Sequence, residues 1–270
     1  MKQKLLFFVL LFVASLNMEG QTIYSFIFAD IDDPVTGEGN KKNVENMKNF
    51  VHYVSQLSGM KVANSAPQIL TGDDFNMQSF DNILDNLKCD FSDIIIFYYA
   101  GHGGRALNDK SKMPQITFND KDPEMFYPIE QIWYKLIDKG THFCLVLCDC
   151  GNMPSNMFIM HEAPLFDVAS FVKNLQKSIY SPKGTSYAGS LFYQKAYVLA
   201  SACQENENAF MTSQGGVFTN TFLSKFDEFV KNTTVKDSLN WNTFSRCVKI
   251  DNGKQKPVFN IISAKVTKKY

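Results

Sequence analysis

Asp93–Gly104 reads DIIIFYYAGHGG and Phe143–Asn152 reads FCLVLCDCGN. Each is an apolar run of strand length without polar alternation. That pattern belongs to strands buried on both faces of a parallel sheet. The first run ends on a histidine framed by glycines, the second on a cysteine. Consecutive parallel strands are usually neighbours, and the ligand crevice of an open parallel sheet lies at the carboxyl ends of its strands. His102 and Cys150 are therefore expected side by side at one sheet edge.

The flanking sequence supplies the rest of such a sheet. Ile23–Asp32 is a buried-strand pattern ending in acids, followed by a polar loop over Asp33–Asn43. Val44–Leu57 carries apolar residues at helical spacing, and Gly59 ends it. Pro67–Leu70 reads as a short strand. Asp73 or Asp74 can cap a helix bearing Phe75, Phe80, Ile83, Leu84 and Leu87. Gln115–Phe118 reads as a hairpin arm, Ile129–Ile137 as a helix and Ala196–Cys203 as another buried strand. A helix is expected around Phe166–Ile179, amphipathic helices over Phe218–Val230 and Trp241–Ile250, and a last strand over Pro257–Ile262. Strands alternating with helices at crossover spacing predict an α/β fold: a mostly parallel sheet of about six strands with helices on both faces. No internal repeat or linker divides the chain, so residues 21–270 are expected to form one domain.

The 270 residues carry no net formal charge, with acids and bases interspersed. This argues against a nucleic-acid footprint, which needs a basic excess on one face. Lys2, Lys4 and the apolar Leu5–Leu16 read as a secretory signal over residues 1–20, with Gly20 near the cut. The run is short for a membrane span, although an uncleaved anchor is the alternative. The mature chain is expected to be secreted or periplasmic, with no membrane span. Cys144, Cys148 and Cys150 share one strand face, where bridging geometry is poor, so the six cysteines are expected to be mostly free thiols. Chelation by those three is also unfavourable at this spacing. Neither a metal site nor an organic cofactor is expected. His52, His142 and His161 lack a glycine frame and read as structural or surface residues. Asn232-Thr233-Thr234 fits a glycosylation acceptor.

An imidazole beside a thiol can take its proton, and the thiolate is a nucleophile. The backbone amides of Gly103 and Cys150 are candidates to hold a developing oxyanion. FYYAGHGG, followed by a strand ending in cysteine, resembles the caspase-like cysteine peptidases, including the metacaspases and their bacterial relatives. FIFADIDDPVTGEG (Phe26–Gly39), LASACQENENAF (Leu199–Phe210) and GGVFTNTFL (Gly215–Leu223) are similar to further segments of that family. The resemblance covers most of residues 23–230. It implies an endopeptidase with His102 as base and Cys150 as nucleophile, acting on a peptide or protein substrate. It also implies an acidic specificity pocket. Asp30 is the first candidate there, which would favour Arg or Lys before the cut. Asp149 is assigned either to that pocket or to orienting its loop. Asp30, Asp32 and Asp33 also read as ordinary turn-forming acids. Calcium dependence occurs in some metacaspases, but no clear site is visible here.

The string Cys148-Asp149-Cys150-Gly151-Asn152 departs from the family's usual Asp-x-Cys. With Cys150 as nucleophile, Cys148 replaces the acid. With Asp149 and Asn152 aligned to the family's Asp and Asn, Gly151 falls on the nucleophile's position and the chain is a pseudopeptidase that binds a peptide or protein partner. A one-residue slip turns the side chain to the opposite face, so the two registers are chemically opposed. An unrelated α/β hydrolase would need a Gly-x-Ser-x-Gly elbow, which is absent from the sequence. If the specificity is basic, residues 151–190 could be self-cleaved at Lys173, Lys177 or Lys183.

Overall fold

The computed structural model describes residues 21–107, 109–119, 126–154, 188–233, 239–250 and 253–263. The elements, in chain order, begin with β1 (Thr22–Ala29), α1 (Gly37–Ser58), β2 (Lys61–Val62) and β3 (Gln68–Leu70). Next come α2 (Met77–Asn86), β4 (Ile94–Ala100), β5 (Gly103–Gly104), β6 (Gln115–Ile116), β7 (Tyr127–Pro128), α3 (Ile129–Ile137) and β8 (Phe143–Asp149). The remainder is β9 (Ala196–Ser201), β10 (Met211–Thr212), β11 (Gly215–Gly216), α4 (Val217–Asn232), α5 (Trp241–Ser245) and β12 (Val258–Ser263).

The main sheet runs β12-β9-β8-β4-β1-β2, with β3 also paired to β1, making seven strands. All its pairings are parallel except β12 with β9. Every residue of β4 and β8 is buried, which is why neither shows polar alternation. Along β8, Phe143, Leu145 and Leu147 enter one core with α1, α4 and α5, while Cys144, Val146 and Cys148 enter the other with α2 and α3. The result is a three-layer sandwich. Among the described residues, no helix is long and apolar enough to cross a membrane.

Helix α1 begins within the expected polar loop. Its buried polar residues make specific bonds that periodicity cannot register. Asn40 Nδ2 donates to the Asp30 carbonyl at 2.7 Å, and Asn43 Oδ1 accepts from the Gly216 amide at 2.8 Å. Glycine at 37 and 39 permits close packing, since a Cβ would overlap the Ile31 carbonyl oxygen and the Met211 side chain respectively. Helix α2 is capped by Asn76, whose Oδ1 accepts from the Ser79 amide at 2.7 Å, rather than by Asp73 or Asp74. Helix α5 ends at Ser245, earlier than its apolar pattern suggests. The signal segment 1–20, the helix expected at 166–179, His161 and the lysines at 173, 177 and 183 lie outside the described residues, as does Thr234 of the glycosylation triplet.

Candidate functional site

Three neighbouring strands deliver the site. Ala29 is in register with Ala100, and Ala100 with Asp149. One residue beyond this row stand Asp30, Gly101 and Cys150; the next row is Ile31, His102 and Gly151. The Asp30 amide still donates to the Ala100 carbonyl at 2.9 Å, so the register persists past β1. The loop leaving β9 closes the side next to β8. The Asn152 amide donates to the Glu207 carbonyl at 2.9 Å, and the Asn206 amide to the Asn152 carbonyl at 3.0 Å.

His102 is held by its main chain. Its carbonyl accepts from the Tyr99 hydroxyl at 2.6 Å and from the Thr117 amide at 3.2 Å. Gly101 is required here, because a Cβ would lie 2.8 Å from the Tyr99 hydroxyl oxygen. The imidazole Nε2 lies 2.8 Å from Asp33 Oδ2, with the His102 side chain 31% exposed. The other oxygen of Asp33 accepts from the Val35 amide at 2.9 Å, the Thr36 amide at 2.6 Å and the Thr36 hydroxyl at 2.8 Å. Burial pushes this carboxyl upward, but the bonds from Thr36, His102 and Val35 outweigh it and hold the pKa down at about 2. Asp30 is buried beside it. Desolvation, and then the charge of Asp33, raise its carboxyl above the ordinary range.

Cys150 occupies the face of the sheet covered by α2 and α3. It is 1% exposed, and its sulfur lies 3.3 Å from that of Cys148. Burial, followed by Cys148, pushes the thiol well above the usual range, so the group is held as a neutral thiol. The sulfur sits beneath Gly103, where any Cβ would overlap it. Gly103 itself pairs with Ile116 in the small β5-β6-β7 sheet. Gly151 is half-buried. A Cβ there would meet the Gly103 carbonyl oxygen at 3.4 Å, Asn208 Oδ1 at 3.8 Å and the Ala209 amide nitrogen at 3.9 Å, all ordinary contact distances. A Cβ is therefore accommodated at 151.

Asp149 points to the opposite face from Cys150 and is 2% exposed. Its Oδ2 accepts from the Thr219 amide at 3.1 Å and the Thr219 hydroxyl at 2.5 Å, while its Oδ1 has no hydrogen-bond partner. The Thr219 hydroxyl also lies 2.7 Å from that of Tyr98. Asp149 thus caps the first turn of α4, where the helix dipole favours an anion. This places the Asp149 carboxylate between β8 and α4. Burial raises its pKa to about 6, against the hydrogen bonds from Thr219.

The structure brings Asp30, Asp33 and His102 together and places Cys150 below them. Sequence reasoning missed Asp33 as the partner of the imidazole. Asp33-x-x-Thr36 is legible as a turn, but nothing local announces a histidine 69 positions away. All six cysteines are free thiols. Two cavities, of about 720 and 450 Å³, are lined from β1, β3, α2 and the approach to β4, with none of Asp30, Asp33, His102 or Cys150 in their walls.

The family model for the caspase domain matches residues 32–270. The chain belongs to the caspase domain family. Members of this family are cysteine peptidases, and the mostly parallel sheet between helices is the caspase-like fold. Among solved structures, this caspase domain is similar to a protein from Geobacter sulfurreducens, with a TM-score of 0.49, 16% identity, and coverage of 91% of this chain and 94% of that one. It is also similar to caspase-1 from Spodoptera frugiperda, with a TM-score of 0.45, 12% identity, and coverage of 92% and 90%. No curated protein matches the chain.

Proposed function

We propose that this caspase domain binds a peptide or protein partner in its crevice without hydrolysing it. The observation that carries the reading is the placement of Cys150: buried, neutral, in contact with Cys148, and one row below His102. The residue after Cys150 is Gly151, which offers no thiol. A nucleophile must reach the peptide carbonyl from a site that also reaches the base, and Cys150 is sealed under Gly103. The acids leaving β1 favour a ligand carrying Lys or Arg by charge complementarity. The leader-like residues 1–20 support a location outside the cytosol in this reading.

One observation favours the alternative, a working His102–Cys150 dyad. The Cys150 sulfur lies directly under Gly103, the residue after His102, so a local shift of the β4 exit would bring thiol and imidazole together. A peptide with a basic last residue and a thiol-reactive warhead separates the two. Under reducing conditions, the native protein should stay unlabelled and Gly151→Cys should be labelled, because the crevice has room at 151. Labelling of the native protein that disappears in Cys150→Ala would replace the binding reading with the peptidase one. The same peptide without the warhead should bind saturably, as read by fluorescence anisotropy.

A further inference from the structure

We propose that Cys148 and Cys150 form a redox pair, which closes into a disulfide by exchange with a small disulfide such as glutathione disulfide and reopens with the corresponding thiol. Their sulfurs lie 3.3 Å apart, and the bond forms at about 2.05 Å. Among the described residues, each of these sulfurs has the other as its only hydrogen-bond partner. A cystine spans about 4.4–6.8 Å between Cα atoms, and two residues of strand rise about 6.6 Å, so the bridge is reachable but stretched. A stretched bridge is readily reduced, which suits a reversible pair rather than a structural staple.

The two cysteines are held differently. Cys148 is locked in the ladder, in register with Tyr99 on one side and Ser201 on the other. Cys150 stands one residue beyond the end of β8, so its main chain can tilt the sulfur toward a fixed partner. The third thiol nearby, Cys203, is turned to main-chain carbonyls, donating to that of Cys150 at 3.3 Å and that of Glu207 at 3.2 Å. Exchange takes two steps. Cys150 loses its proton, its thiolate attacks the oxidant's disulfide, and one thiol leaves. Cys148 then loses its proton and attacks the Cys150 sulfur, expelling the second thiol. The pair gives up two electrons and two protons, and the oxidant's broken S–S bond takes them as two thiols. Both sulfurs are buried, so exchange waits on local opening at the β4 exit. Burial also keeps Cys150 protonated, which makes the first step slow at neutral pH and faster as pH rises. In the reduced chain, the Cys150 sulfur occupies the space a Gly103 Cβ would need. Bonding to Cys148 draws it away. The oxidised chain then holds no thiol beneath the residue that follows His102, which closes the route to a dyad. The inference stands whether or not Cys150 ever meets His102, because the bridge depends on Cys148.

The test exposes the reduced full chain to glutathione disulfide, alkylates the remaining thiols as the chain is denatured, and cleaves on the amino side of aspartate. Cleavage at Asp149 separates Cys148 from Cys150. The two fragments should stay joined, two of the six thiols should escape alkylation, and reduced glutathione should reverse both. Joining should be faster at pH 9 than at pH 7. Cys148→Ser should leave the fragments apart, and Cys203→Ser should leave them joined. The second variant keeps the pair, and the native chain carries the main readout, so a folding failure in Cys148→Ser does not shelter the proposal. Six alkylated thiols after exposure, fragments that stay joined in Cys148→Ser, or fragments that come apart in Cys203→Ser overturn it.

Discussion

Asp149 keeps a carboxylate in a place where water does not reach, and the consequence is measurable. Its pKa rises from 3.8 to about 6 on folding, so between those values the folded state binds more protons than the unfolded one. Stability therefore falls as pH rises through that window, and the deficit is complete above it. The shift corresponds to on the order of 2–3 kcal/mol. Asp149→Asn retains an acceptor for Thr219 and removes the ionisation. Urea unfolding at pH 4.5 and pH 7 should show the variant gaining on the native protein at the higher pH. An equal difference at both would mean that the buried carboxylate does not titrate in this range. Asp33 works in the opposite sense, because its carboxyl is depressed: what it contributes is present above the ordinary aspartate range and lost as pH falls toward 2.

Helix α4 shows how separate elements are tied into one crevice wall. Its first turn is capped by Asp149 from β8, and the strand leading into it is held by Asn43 from α1. Asn43→Ala would leave the buried Gly216 amide without an acceptor, a loss of about 1–3 kcal/mol. Chemical denaturation should read that loss, and Asn43→Asp, which keeps the oxygen, should recover part of it. Elements whose burial is continuous or strictly periodic were legible in sequence: β4 and β8 lie within the two apolar stretches, and α3 has its expected bounds. The first two turns of α1 were not, because Asn40 and Asn43 are buried polar residues. Their partners lie 10 and 173 positions away, beyond any local pattern.

Across the whole molecule, stability is expected to grade from the centre of the sheet to its edge. β4 and β8 have sheet neighbours on both sides and helices on both faces, whereas β12 is an edge strand with its residues half-buried or exposed. Native-state hydrogen exchange should find the β4 and β8 amides opening only with global unfolding, and those of β12 opening at lower free energy. Uniform protection across all three strands would contradict this. The amino-acid sequence by itself determined the layered α/β architecture, the parallel central strands and the histidine at the β4 exit, because burial on both faces writes itself into composition as unbroken apolar runs. The tertiary structure alone decided which residues meet there. Asp33 became the partner of His102, Asp149 turned inward to cap α4, and Cys150 went under Gly103. These outcomes depend on the register between strands and on the face each side chain takes, and a one-residue difference in register reverses them.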